Sequence, residues 1–233
     1  MKSKSPLILG FIFLWSQFLI GQGGWCGFDA LDMLYNHDNH SSFERLLKSR
    51  MKRVSDIAED DVYLIPVVVH VIHSNTSDQI GVGNNISDEQ IFSAIKVLNE
   101  DFRRENADTS QTAAWAKPVA ADMQIEFRLA TQGPSNNSTN GITRHRSTRA
   151  SYHYALHEEE LKAYGYWPSD EYLNIWVAPL SSNIVGFAQF PNGSGLTGVD
   201  DFNGADSLDG VVVAPYAFGK FTGKATGTNN PYK

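Results

Sequence analysis

The sequence predicts an α/β (α+β) fold, a mixed, twisted sheet of about five strands backed by helices, and three observations lead there. The run VYLIPVVVHVIH, residues 62 to 73, is β-branched without polar alternation, as a central strand buried on both faces requires. It is followed by ISDEQIFSAIKVLNEDFRREN, in which Ile91, Ala94, Ile95, Leu98 and Phe102 recur on one side at helical spacing. Beyond it, several short strand-like segments are separated by turn-rich stretches.

Two segments precede the sheet. Lys2 and Lys4 lead into an apolar stretch from Pro6 to Ile20, and Gly21 and Gly23 stand three and one positions before a cleavage after Gly23, so residues 1–23 predict a secretory signal peptide and an extracellular destination. The stretch is shorter than the roughly 20 apolar residues of a membrane span, which argues against a stable membrane anchor. Residues 24–60 are polar and helix-leaning, as a linker, a pro-region or a solvated surface helix is. Phe43, Leu46 and Leu47 lie on one side, and the basic cluster Arg50, Lys52 and Arg53 follows them.

Residues 61–233 hold the folded part. Ser87 is placed to cap the helix with Gln90 three residues on, a capping box. MQIEFRLA sets Met123, Ile125, Phe127 and Leu129 against Gln124, Glu126 and Arg128, a strand with one wet side. The loop TQGPSNNSTNG leads to the short strand ITRHR, and a short helix is expected around Tyr154 to Tyr164. YLNIWVAP alternates Leu173, Ile175 and Val177 against Tyr172, Asn174 and Trp176. IVGFAQFP is a strand stopped by Pro191, and DGVVVAP closes the set.

A formal charge of −7 with no clustered Lys or Arg between the strands excludes nucleic-acid binding. The chain carries no signal for an oligomeric state. His70 and His73 resemble a metal pair, but three residues apart on a strand they point to opposite faces. His153 and His157 share a face if that segment is helical, yet no glutamate follows the first and no third ligand is near. Asp200, Asp201, Asp206 and Asp209 offer oxygen ligands to calcium without EF-hand spacing, so a solvated acidic loop is the default. No nucleophile elbow or phosphate loop occurs. Cys26 is the only cysteine, and in an exported chain it must be free, intermolecular or a ligand.

Taken in order and spacing, IPVVVHVIH, ISDEQIFSAIKVLNEDFRREN, ADMQIEFRLA, NGITR, YLNIWVAPL, VGFAQFP and DGVVVAPYAFG resemble the N-terminal part of the pappalysin (peptidase family M43) metzincin metalloproteases, over residues 62 to 219. The resemblance implies a secreted zinc metalloendopeptidase made as a latent zymogen and acting on protein or peptide substrates. The segment Gly186, Phe187, Ala188 and Gln189 then corresponds to the edge strand along which substrate lies antiparallel. Cys26, in the context WCGFD, corresponds to the pro-segment cysteine that ligates the catalytic zinc and displaces its water. Arg50, Lys52 and Arg53 mark the region where the pro-segment is removed. The family's H-E-x-x-H-x-x-G-x-x-H signature does not occur here, so the resemblance implies a catalytic domain truncated before its active-site helix, with catalytic residues and zinc ligands C-terminal to Lys233. Calcium sites stay open. A missing helix that covers several hundred Å² of apolar sheet, at ~25 cal/mol/Å², forfeits on the order of 10 kcal/mol, so these 233 residues alone are expected to be unstable and inactive. The alternative is a secreted noncatalytic α/β module that binds peptide at the same strand.

Overall fold

The computed structural model describes residues 62–74, 78–189 and 206–219. Its centre is β1 (Tyr63–His73), in which every residue from Val67 to His73 is buried. That burial explains the unalternated run from Val67 on, where β1 is flanked on both edges and covered on both faces, whereas Tyr63, Leu64 and Pro66, expected to be buried with it, are exposed. On one edge it pairs in parallel with two strands laid end to end, β2 (Ile125–Leu129) along Tyr63 to Val67 and β3 (Ile142–Arg146) along Val69 to His73. On the other it pairs with β4 (Leu173–Val177). Beyond β4 come β6 (Gly210–Val213), still parallel, and then the antiparallel β5 (Gly186–Gln189). The sheet has six strands where about five are expected, with β5 at the end of the order β2-β1-β4-β6-β5.

The strand parity of β1 sorts its side chains into two cores. Val67, Val69 and Val71, with Phe127, Ile175 and Val177, face the helix α1 (Asp88–Phe102), which buries Ile91 and Ile95 on them. Each such aliphatic side chain stabilises the fold by about 1.5–3 kcal/mol. The opposite face packs Ile72, Trp176, Phe187 and Val212 on Tyr152 and on Leu161 of the short helix α2 (Glu158–Lys162). Ser87 caps α1 as expected, its Oγ accepting from the Gln90 N–H at 3.2 Å. The Gln90 side chain donates to the carbonyls of Pro215 and Phe218 at 2.8 and 2.7 Å, which ties the start of α1 to the segment after β6.

Two boundaries differ from expectation. β2 begins at Ile125, because the Gln124 N–H donates to Asp122 Oδ1 at 2.7 Å in a turn that holds Gln124 at φ 54° and leaves Met123 exposed. α2 is five residues long rather than spanning Tyr154 to Tyr164. A separate turn precedes it, in which His157 N–H donates to the His153 carbonyl at 3.0 Å while His153 N–H donates to His157 Nδ1 at 3.0 Å. No helix among the described residues is long and apolar enough to cross a membrane.

Candidate functional site

The outer strand β5 is four residues long and pairs along its inner side with β6, from Gly186 opposite Val213 to Gln189 opposite Gly210. A strand in that position turns half of its backbone N–H and C=O groups outward, where they can pair with another extended chain. Gly186 suits the close approach to β6, since a Cβ there would lie 2.6 Å from the Val212 carbonyl oxygen. Phe187 is buried against Trp176 and Val212, so its ring anchors the strand from the α2 side of the sheet. On the α1 side, an apolar cavity of about 350 Å³ is lined by Leu98, Phe102, Ile175, Val211, Val213 and Phe218.

Gln189 and α2 are joined by a buried polar cluster. Lys162 and Glu158 are 1% and 9% exposed, and Lys162 Nζ donates to Glu158 Oε1 at 2.7 Å. Gln189 Nε2 donates to Glu158 Oε2 at 2.9 Å, and Lys162 Nζ also donates to the Leu208 carbonyl. Burial lowers the proton affinity of the Lys162 ammonium, and the adjacent Glu158 carboxylate works against that shift.

The candidate ligands fall apart as a metal centre. His70 sits with Trp176, ring centroids 5.3 Å apart, while His73 lies on the opposite face with a buried Nδ1 that has no hydrogen-bond partner among the described residues. Burial lowers the pKa of His70 to about 4, and its ring contacts Thr143 Oγ1 at 2.7 Å and Asn174 Oδ1 at 3.0 Å. His145 meets the same Thr143 hydroxyl at 2.9 Å, so His70, His145, Thr143 and Asn174 form one polar network inside the α2-side core. His157 spends Nδ1 on the turn that precedes α2, and with His153 outside any helix the pair does not share a helical face. Asp206 opens a short 3-10 turn at Asp206–Leu208, and burial raises the pKa of Asp209. Cys26, Arg50, Lys52, Arg53, Asp200 and Asp201 lie outside the described residues. Among the described residues no group of three or more His, Cys, Asp or Glu is arranged to hold a metal ion. They therefore do not fit a zinc or calcium centre by themselves.

Sequence reasoning placed β5 and missed both polar clusters. The Glu158–Lys162 spacing of four was visible, but on a helix that pattern marks a solvated face far more often than a buried pair. The contacts of His70 with Thr143 and Asn174 depend on β3 and β4, which pair with β1 from distant positions, and no local pattern carries that.

A mostly parallel sheet that ends in an antiparallel outer strand and is backed by a helix defines the metzincin-like protease fold. Solved structures of mirolysin share it with this chain. Mirolysin in complex with compound 9 is 38% identical over 71% of this chain and 57% of that one, with a TM-score of 0.59. Mature mirolysin of Tannerella forsythia in complex with a cleaved peptide is 38% identical over 70% and 57%, TM-score 0.60. A promirolysin mutant from the same organism is 33% identical over 85% of this chain and 62% of that one, TM-score 0.65. The chain thus spans less than two thirds of the length of these metalloproteases. No protein-family model and no curated protein sequence matches it.

Proposed function

We propose that this chain carries the export signal (residues 1–23), the pro-segment (24–60) and the sheet-bearing part of the catalytic domain (61–233) of a secreted, latent zinc metalloendopeptidase of the pappalysin type. The observation that supports it most is β5, an outer antiparallel strand in a chain 38% identical to a protease whose structure holds a cleaved peptide. Gly186, Phe187, Ala188 and Gln189 bind an extended substrate by adding it to the sheet, which gives main-chain affinity with little side-chain demand. Water activated by a bound metal supplies the hydrolysis in such enzymes. The part of the described residues is to bind and orient the peptide, and the metal ligands come from elsewhere in the protein. Cys26 is the latency ligand of this scheme, and Arg50, Lys52 and Arg53 are where the pro-segment is cut.

The test is to express the full gene product, read past the codon for Lys233, remove the pro-segment with trypsin at the Arg50, Lys52 and Arg53 cluster, and assay cleavage of an unstructured peptide with zinc and with a chelator. Cleavage that the chelator abolishes and zinc restores is expected. Peptide binding by a zinc-supplied protein without cleavage would overturn the enzyme reading and leave a noncatalytic peptide-binding module.

A further inference from the structure

The buried pair on α2 has more partners than a five-residue helix requires. Glu158 reaches the last residue of β5 through Gln189, and Lys162 reaches the turn ahead of β6 through the Leu208 carbonyl. The Lys162 ammonium also stands 5.5 Å from the ring centroids of Trp176 on β4 and Phe187 on β5. One ion pair thus touches β4, β5 and the approach to β6. Its cost in desolvation makes it a poor source of net stability, because apolar replacements of buried pairs are often neutral or better. Its geometric effect is specific. Among the described residues this four-residue strand has a ladder on one side alone, which leaves few bonds to fix its last residue, Gln189.

We propose that Glu158 and Lys162 are positioning residues for the peptide-binding strand: through Gln189 and Phe187 they hold β5 in place to receive an extended peptide. The inference rests on the reading of β5 as the substrate strand. The two residues touch no substrate themselves and act through the strand. Arginine in place of Lys162 keeps the charge and the stacking on the two rings, whereas methionine keeps the apolar stem and loses both.

The experiment compares wild type, Gln189→Leu, Lys162→Met and Lys162→Arg in the full gene product after removal of its pro-segment at the Arg50, Lys52 and Arg53 cluster. Binding of a fluorescently labelled unstructured peptide, kcat and KM, and deuterium uptake of residues 186–189 are read on each. Gln189→Leu leaves the buried pair intact and guards against the case in which Lys162→Met fails to fold. Expected are faster exchange of β5 with β1 unchanged, a Kd and KM raised about tenfold, which corresponds to about 1.4 kcal/mol, and kcat within about twofold. Lys162→Arg should recover most of the affinity. Unchanged exchange in β5, or unchanged Kd in Gln189→Leu, would overturn the proposal. A wild type that binds the peptide without cleaving it overturns the protease reading alone, since Kd and exchange still report on the strand.

Discussion

His70 shows how one buried side chain sets a pH dependence. In the unfolded chain an imidazole takes up a proton below about pH 6.5, whereas in the folded protein burial delays this to about pH 4, with the Asn174 hydrogen bond opposing and His145 reinforcing that shift. Between those values the unfolded state binds more protons, so stability falls as pH falls through the window and the contribution levels off below it. The size is on the order of 3 kcal/mol. His70→Gln should flatten the difference between urea unfolding at pH 7 and at pH 4.5, and an equal loss in both proteins would refute this. Gly165 closes over the same network at φ +89°, where a Cβ would lie 2.6 Å from His145 Nε2 and 2.8 Å from His70 Nδ1. Gly165→Ala is expected to cost about 2–3 kcal/mol, from the left-handed backbone and the displaced rings together. A thermal midpoint within 1–2 °C of wild type, as a neutral surface change of ~0.5 kcal/mol gives, would contradict it.

At the scale of elements, Arg144 joins β3 to the start of α1. Its guanidinium donates to Asn85 Oδ1 at 2.6 Å and to the Ile86 carbonyl at 2.7 Å, and pairs with Asp88 in the first helical turn. Arg144→Met leaves the buried Asn85 Oδ1 and the Ile86 carbonyl without this donor and should destabilise by about 2–3 kcal/mol, against about 1 kcal/mol for Ser87→Ala, which removes one cap bond. Denaturant midpoints check the order, and a larger effect from Ser87→Ala would count against this account of the helix start. The helix itself was legible in the sequence, since a cap and an apolar stripe are local signals. β1, β4 and β6 were legible for the same reason, being short apolar runs between turn residues. The start of β2 was hidden by a turn at Asp122 that interrupts an otherwise clean alternation, and α2 by a histidine turn that propensity does not register. The site divided along the same line. The identity of β5 as a strand is local, whereas its anchorage on Glu158 and the gathering of His70 with His145 are tertiary.

For the whole molecule, the two cores give α1 and α2 separate tasks on opposite faces of one sheet. The apolar cavity beside α1 borders β4 and β6, and the buried ion pair on α2 holds β5. In the scheme proposed above, latency belongs to Cys26, which lies outside the described residues. Cys26→Ala in the full gene product should then give self-cleavage during expression, read as a new N-terminus near Arg50 to Arg53. Unchanged latency would mean that the pro-segment blocks the cleft by another contact. The layout of β1 also bears on how the protein is made. Its first strand partner begins at Ile125 and the one on its other edge at Leu173. At about 5–20 residues per second of synthesis, the valine-rich strand therefore leaves the ribosome several seconds before any partner strand exists to cover it. Over that interval it is an unpaired, uncharged β-segment of the kind that self-associates. Its yield in a cell therefore depends on whatever shields nascent Val67 to Ile72 until Leu173 has been translated.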